Sequence, residues 1–177
     1  MHAISALRQA GHEVIVEDLY EQQFAPALTQ AERQSYYAPV FDARKLTEEM
    51  ARLTAAEALV LVFPTWWFGL PAILKGWFDR VWAPGAAYDH AADLGLIQPR
   101  LGKLRTAVAI TTLGSPWWVD RFVMWQPIKR QLKVALLGTC APACKFHMLS
   151  LYQSEKISVS VFDKFCQRIG TVLGKWQ

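Results

Sequence analysis

The stretch that decides the fold runs from Leu59 to Trp82 and reads LVLVFPTWWFGLPAILKGWFDRVW. Its first five residues, up to Phe63, are an unbroken apolar run, which is typical of a strand buried on both faces. Pro64 ends that strand, and a short loop with three aromatic residues and a glycine follows. Pro71 then suits the first turn of a helix, because its missing N–H needs no partner there. The pattern predicts strand, loop and helix in succession.

The predicted helix is amphipathic, with apolar residues at helical spacing at Ile73, Leu74, Trp77, Phe78, Val81 and Trp82. Lys75 and Asp79 lie on another face, where we expect an i, i+4 surface pair and not a catalytic one. The loop before this helix follows the carboxyl end of a strand, where open α/β sheets bind ligands. Its three rings either cap the core or line a site for a flat aromatic ligand.

The rest of the chain alternates between helix and strand patterns. Ile4 and Leu7 predict a helix over the first ten residues with Gly11 as its stop, and Val14 to Val16 predict a strand over residues 12–19. Further helices are predicted over residues 30–36, with a Thr29–Glu32 capping box, and over 42–55, capped by Asp42. Two more are predicted: one from Trp125 or Pro127 to Leu137 with Gly138 as its stop, and one over 154–176. Further strands are predicted over residues 105–112 and within 141–149. Residues 83–102 show no clear period and are predicted to form a long connecting excursion with room for a hairpin.

This alternation predicts an α/β fold: a parallel sheet with helices on both faces, in one domain over residues 1–177. A second loop, Thr111 to Ser115, follows the strand at 105–112 and leads into Trp117 and Trp118. Parallel crossovers place both loops on the same edge of the sheet. We therefore expect the two loops to line one cleft.

Charge and cysteine content exclude several classes of function. The net charge is +4, but the basic residues are scattered apart from a small cluster at Lys129, Arg130 and Lys133. Nucleic-acid binding needs a continuous basic stripe or patch, so this charge better suits a phosphorylated or otherwise anionic small ligand. The three cysteines are an odd number and lack ligand pairs at zinc-finger spacing, so neither a disulfide framework nor a metal site is predicted.

Membrane and export signals are not visible in the sequence. No apolar run approaches the roughly 20 residues that a membrane-spanning helix needs. The first residues lack the basic-then-apolar pattern of a signal peptide, so we expect a cytoplasmic location.

The two loops suit a planar heterocycle. The first offers backbone N–H groups and an aromatic wall, and the second offers hydroxyls, N–H groups and the flexible Gly114. Main-chain hydrogen bonds at the ring edge and aromatic contacts on its faces fit a flavin isoalloxazine. The protein then needs no strong acid or base of its own, because the hydride chemistry belongs to the cofactor.

The segment from Phe63 to Val81, FPTWWFGLPAILKGWFDRV, resembles the signature of the NAD(P)H:quinone oxidoreductase family, and Thr111-Thr112-Leu113-Gly114 resembles that family's second flavin loop. The resemblance implies a flavodoxin-like three-layer sandwich. It implies that one edge of the flavin is seated by Pro64, Thr65, Trp66, Trp67, Phe68 and Gly69. The other edge would be held by Thr111, Thr112, Leu113, Gly114 and Ser115.

The same resemblance implies an activity and partners. NAD(P)H would reduce bound FAD or FMN, which would reduce a quinone or similar electrophile in a ping-pong reaction within a homodimer. Tyr88 would cover the substrate pocket across the dimer interface, with His90 as a second such residue and Trp117 and Trp118 as further cover. The family's Tyr and His after the second loop have no counterpart within residues 117–126, so no catalytic side chain is predicted.

The resemblance also departs at the start of the chain. The family begins with a central strand and a loop that binds the flavin phosphate, whereas this sequence begins inside what resembles the following helix. Either the start lies upstream, which we favour, or the protein is a truncated relative that binds flavin poorly. The alternative function is a non-enzymatic flavodoxin-like electron carrier or a degenerate dimeric interaction module.

Overall fold

The computed structural model describes residues 2–91 and 95–176. The α-helices are α1 (His2–Gln9), α2 (Gln30–Ser35), α3 (Thr47–Ala55), α4 (Ala72–Val81), α5 (Pro127–Arg130), α6 (Gly138–Cys140) and α7 (Val159–Leu173). The strands are β1 (Ala58–Pro64), β2 (Tyr88–Asp89), β3 (Gln98–Pro99), β4 (Thr106–Thr112) and β5 (Lys145–Leu151). Two π-helical segments, Val119–Val123 and Gln131–Leu137, and a 3-10 turn at Ser154–Lys156 lie between them.

The main sheet is parallel and has the order β1-β4-β5. Its central strand, β4, is buried along its whole middle, as its run of alanine, valine and isoleucine predicts. The register aligns Pro64 with Thr112 and Thr112 with Leu151, so all three strands end at one edge. The two loops predicted to share a cleft therefore begin side by side. The predicted hairpin in the long excursion is confirmed as the antiparallel pair β2-β3.

Helices cover both faces of this sheet and form two cores. On one face α1 and α7 bury Leu7, Phe165 and Ile169 against β4 and β5. On the other face α3 and α4 bury Met50, Trp77 and their neighbours against β1. This arrangement confirms the predicted three-layer α/β sandwich. No helix within the described ranges is both long and apolar enough to cross a bilayer.

The prediction of a strand over residues 12–19 is wrong. The segment carries no regular secondary structure, and Ile15 and Val16 are exposed. Among the described residues β1 pairs with β4 alone. The other edge of β1 is unpaired there, so residues 12–19 have no strand to pair with. A strand exists only through its pairing, because the backbone groups of an extended segment need a partner. Side-chain contacts hold the segment instead: Glu17 accepts hydrogen bonds from Arg52 and from Trp77 Nε1.

Several predicted helix and strand boundaries are also wrong. The helix predicted over residues 42–55 is confirmed only from Thr47, because Asp42 pairs with Arg44 and does not cap a helix. Gly138 does not stop its helix, since its φ of −59° is helical and helical backbone continues to Cys140. The last strand lies at 145–151 and not within 141–149, and the terminal helix begins after Ser158, whose side chain caps it, and ends at Leu173.

Other local predictions are confirmed. Gly11 ends α1 with a φ of +87°, a conformation that glycine adopts without strain. The capping box is present, with the Glu32 carboxylate accepting from Thr29 N–H and the Thr29 hydroxyl accepting from Glu32 N–H. Lys75 and Asp79 form the expected exposed i, i+4 pair on α4.

Candidate active site

The aromatic loop after β1 is a tight two-residue turn. Trp66 N–H donates to the Gly69 carbonyl at 3.1 Å, and Gly69 N–H donates to the Trp66 carbonyl at 2.7 Å. The central residues, Trp67 and Phe68, have φ values of +48° and +57°. Positive φ values at both central residues are typical of a type I′ turn, which usually has glycine or asparagine at these positions.

Two bulky rings in this conformation store backbone strain, since left-handed φ values are outliers for large side chains. Such strain persists where the surrounding structure imposes it, and it concentrates at functional sites. Trp67 is 95% exposed, so core packing does not explain the strain at that residue, whereas Phe68 is half-buried. Trp66, which precedes them, is 62% exposed. The sequence alternative in which these rings cap the core is therefore wrong for the two tryptophans.

The second loop is joined directly to the first. Thr65 N–H donates to the Thr112 carbonyl at 2.9 Å, and the hydroxyl oxygens of Thr65 and Thr111 lie 2.8 Å apart. Thr111 is 1% exposed, so this hydroxyl contact is sheltered from water. The structure thus brings the two predicted loops together at one edge of the sheet, and the rest of the second loop is anchored by Leu113 N–H donating to Leu151.

Both loops present polar groups without a protein partner. The buried Ser115 Oγ lacks a hydrogen-bond partner among the described residues. The N–H groups of Trp67, Phe68, Gly114 and Ser115 also find no acceptor within the described part of the chain. A buried hydroxyl left unsatisfied is unusual in a native protein and indicates a site that a ligand completes.

Trp117 and Trp118 follow the second loop and are about half-exposed. Trp117 makes an edge contact with Phe122, with ring centroids 5.8 Å apart. Sequence reasoning missed a buried pair that involves the segment after them: Asp120 is buried, and its carboxylate accepts a hydrogen bond from Tyr152 OH at 2.8 Å. Burial, and then this bond, raise the pKa of the Tyr152 hydroxyl above its ordinary value. No sequence pattern links these two residues, which are brought together only by the fold.

Tyr88 and His90 form a separate aromatic cluster. Tyr88 is buried and its hydroxyl donates to Tyr36 OH at 3.1 Å, while His90 Nε2 lies 3.2 Å from the Tyr36 carbonyl. His90 also stacks on Tyr37 at 5.0 Å between ring centroids. Burial, and then the bond to Tyr36, raise the pKa of Tyr88 well above its ordinary value. Among the described residues their side-chain hydrogen bonds and ring contacts go to Tyr36, Tyr37 and each other and to neither loop, so within one chain such contacts do not join them to the cleft.

The geometry fits a flavin ring. Free N–H donors from two adjacent loops match the acceptor edges of an isoalloxazine, and exposed indole rings match its faces. Within residues 2–91 and 95–176 no three His, Cys, Asp or Glu side chains converge in a way that could hold a metal.

Comparison with known proteins agrees with this arrangement. Residues 1–149 match the profile of a family described as having a flavodoxin-like fold. The chain belongs to this flavodoxin-like family. Sequence relatives include rat NAD(P)H dehydrogenase [quinone] 1, 35% identical over 131 residues, which are 64% of this chain and 46% of that protein. Human ribosyldihydronicotinamide dehydrogenase [quinone] is 33% identical over 131 residues, with 64% and 55% covered.

Solved structures extend the similarity to almost the whole flavodoxin-like chain. NAD(P)H:quinone oxidoreductase from Methanothermobacter marburgensis superposes with a TM-score of 0.81 at 26% identity, covering 99% of this chain and 90% of that one. The chain spans about half the length of the curated relatives it matches. The family resemblance stated from the sequence is confirmed.

Proposed function

We propose that this flavodoxin-like protein is a flavin-dependent NAD(P)H oxidoreductase that reduces quinones or similar electrophiles. The observation that supports it most is the paired-loop cleft: a strained aromatic turn tied through Thr65 and Thr111 to a loop with an unpartnered buried hydroxyl at Ser115. The relatives named for NAD(P)H-dependent quinone reduction support the same activity.

The chain's own residues bind and orient. The N–H groups of Trp67 and Phe68 would hold one edge of FAD or FMN, and those of Gly114 and Ser115, with the Ser115 hydroxyl, would hold the other. Trp66 and Trp67 would cover a ring face and exclude water from it, while Trp117 and Trp118 would close the substrate side. The bound flavin would supply the hydride chemistry between NAD(P)H and the quinone. No proton relay by a His or Tyr of residues 117–126 is part of the proposal.

A homodimer completes this proposal. The cluster at Tyr88, His90 and Tyr37 makes no hydrogen bond or ring contact with either loop among the described residues, yet Tyr37 is 70% exposed and available to a second copy. In the dimer this cluster covers the partner's aromatic turn. Light scattering after gel filtration tests the assembly, and a Tyr37→Ala variant that stays dimeric with an unchanged KM for quinone would contradict the role in substrate cover.

The test of the activity begins with flavin. Purified protein should show the flavin absorbance bands, or acquire them on titration with FAD or FMN, and then consume NAD(P)H with a quinone along parallel-line initial-rate plots. Such plots are expected because both substrates use one cleft in turn. A colourless protein that stays inactive with either added flavin would overturn the enzyme proposal.

A second candidate is a non-enzymatic dimeric interaction module. It is favoured by the open edge of β1, where Val62 is 69% exposed and residues 13–18 pair with no strand among the described residues. A protein that dimerises but takes up neither flavin fits this candidate and not the first.

A further inference from the structure

A shallow cationic cavity of about 300 Å³, largely open to solvent, lies where the first π-helical segment meets α5. It is lined by four cationic side chains together with one aromatic, one amide and one apolar residue: Arg121, Lys129, Arg130 and Lys133, with Trp125, Gln126 and Val134. Among the described residues that line it, none carries a carboxylate. The cavity gathers the small basic cluster of the sequence into one concave surface, and it lies outside the two loops that seat the flavin.

The positive charge of this cavity is not compensated. Elsewhere Arg44, Arg52, Arg80 and Arg100 each pair with a carboxylate, whereas none of the four cavity cations forms an ion pair within the described ranges. The nearest acid in sequence, Asp120, is buried and accepts from Tyr152 instead. Four cations around one concavity focus a field that attracts phosphate groups.

The aromatic rim of the cavity is held in an unfavourable backbone conformation. Trp125 and Gln126 both have left-handed φ values, +59° and +50°. Gln126 N–H donates to the Asp120 carbonyl at 2.8 Å, which fixes the bend. Trp125 is nevertheless 70% exposed, so its ring is displayed and not packed. A displayed indole beside phosphate-binding cations offers a stacking surface for a planar base.

Phosphate-binding cations and a stacking ring together recognise a nucleotide. We propose that this cavity binds the phosphorylated adenosine half of NADPH, with the 2′-phosphate on Lys129 and Lys133 and the adenine against Trp125. The proposal rests on the proposed function for its choice of NADPH. Binding of the 2′-phosphate in this cavity makes the enzyme prefer NADPH over NADH, because NADH lacks that phosphate.

The position of the cavity suits a substrate that spans two sites. Trp118 follows the second loop and stands seven positions before Trp125, so a helical rise of about 1.5 Å per residue limits their separation along the segment to roughly 10 Å. An extended dinucleotide is longer than this, so it can reach the cleft with its nicotinamide while its adenosine phosphate occupies the cavity.

The direct test uses nucleotide fragments that carry no hydride. Adenosine 2′,5′-bisphosphate, 5′-AMP, inorganic phosphate and phosphatidylglycerol vesicles are titrated into the purified full chain, with calorimetry and tryptophan fluorescence as readouts. Saturable binding is expected for the bisphosphate, more weakly for 5′-AMP, and weaker still at high salt. Lys133→Glu should lower the affinity for the bisphosphate by about tenfold or more, since one charged hydrogen bond is lost.

Matched variants separate the cavity from general charge. Lys164→Glu, on the exposed face of α7, makes the same charge change elsewhere and should leave binding unchanged. Trp125→Asn removes the ring at a residue whose φ asparagine tolerates, and it should weaken the adenosine ligands but not inorganic phosphate. Thermal unfolding of each variant confirms that it is folded.

Three outcomes would overturn the proposal: no saturable binding of the bisphosphate, an equal loss in Lys164→Glu, or capture of the vesicles through the same lysines without nucleotide binding. The fragment titration needs neither flavin nor turnover. An inactive protein that binds the bisphosphate therefore refutes the proposed function alone, and an active enzyme with equal kcat/KM for NADH and NADPH refutes this inference alone.

Discussion

The hydroxyl groups of Thr65 and Thr111 lie 2.8 Å apart and join the two loops that form the candidate flavin site. Thr65 belongs to the loop after β1, and Thr111 is the buried penultimate residue of β4. Because the strands are parallel and in register, their carboxyl ends meet, and the two hydroxyls satisfy one another. The relative position of the loops thus depends on this contact and on the neighbouring backbone bond from Thr65 to Thr112.

Replacing Thr65 with valine should destabilise the fold by about 1–3 kcal/mol, because it leaves the Thr111 hydroxyl buried without a partner. The double variant Thr65→Val/Thr111→Val should recover most of that loss, since apolar groups of the same shape then replace both partners. Chemical denaturation measures these energies, and both variants should bind flavin more weakly. Thr106→Val, on the same strand, is the control, and a fully additive double variant would contradict the coupling.

Replacing Trp67 with asparagine should lower the free energy of unfolding by no more than about 0.5 kcal/mol, because the indole is almost fully exposed and relief of the strained φ acts in the stabilising direction. Asparagine tolerates the left-handed φ of this turn, so the backbone should be preserved. Flavin affinity should fall by roughly three- to tenfold, the loss expected for one aromatic contact of about 0.5–1.5 kcal/mol.

Fluorescence titration with FMN and FAD measures this loss. Phe162→Ala removes an exposed ring from α7 and should leave flavin affinity unchanged. If Trp67→Asn instead lowers stability strongly and flavin binding not at all, the turn is structural.

A buried ion pair should make the fold sensitive to acid. Glu32 and Arg80 are both almost fully buried, and the Glu32 carboxylate accepts from Arg80 Nε at 2.9 Å as well as from Thr29 N–H. Burial alone raises the pKa of Glu32, but the bonds from Arg80 and Thr29 and the charge of Arg80 bring it below its ordinary value. Glu32→Gln should cost about 3–5 kcal/mol, because it leaves the guanidinium buried without its counter-charge.

The sign of the pH dependence follows from the lowered pKa. The contribution of Glu32 is complete above the pKa of an unfolded glutamate, about 4.3, and is lost as pH falls through the lower folded value. Urea denaturation between pH 7 and pH 3 should show this loss in the wild type and a smaller one in Glu32→Gln. Lys75→Met, which breaks an exposed pair, should cost at most about 1 kcal/mol and leave the acid sensitivity in place.

A methyl group at Gly76 should be strongly destabilising. A Cβ there would lie 2.2 Å from the Pro26 carbonyl oxygen and 2.5 Å from Pro26 Cα, and backbone atoms cannot move aside as a flexible side chain can. We expect Gly76→Ala to cost about 1–3 kcal/mol or more through overpacking. Gly170→Ala, in α7 with open space around it, should instead stabilise by up to about 1 kcal/mol. Thermal unfolding of the two variants distinguishes these opposite signs.

Local pattern was sufficient for much of the fold. The apolar run before Pro64 and the periodicity after Pro71 predicted β1, the aromatic loop and α4, because a buried strand and an amphipathic helix leave different spacings in the sequence. Local pattern gave a wrong prediction where an element needs a partner strand: Val14 to Val16 favour a strand, yet no strand forms there. Helix ends were also missed, since Asp42 found Arg44 in place of a cap.

The sequence by itself determined the layered α/β architecture, the placement of two loops at one sheet edge, and the family, because these depend on the order and periodicity of neighbouring residues. Only the tertiary structure decided the left-handed turn at Trp67 and Phe68, the contacts of Thr65 with Thr111 and of Tyr152 with Asp120, and the cavity around Trp125. Those features join residues across the fold or fix backbone angles through it, and such contacts leave no periodic trace along the chain.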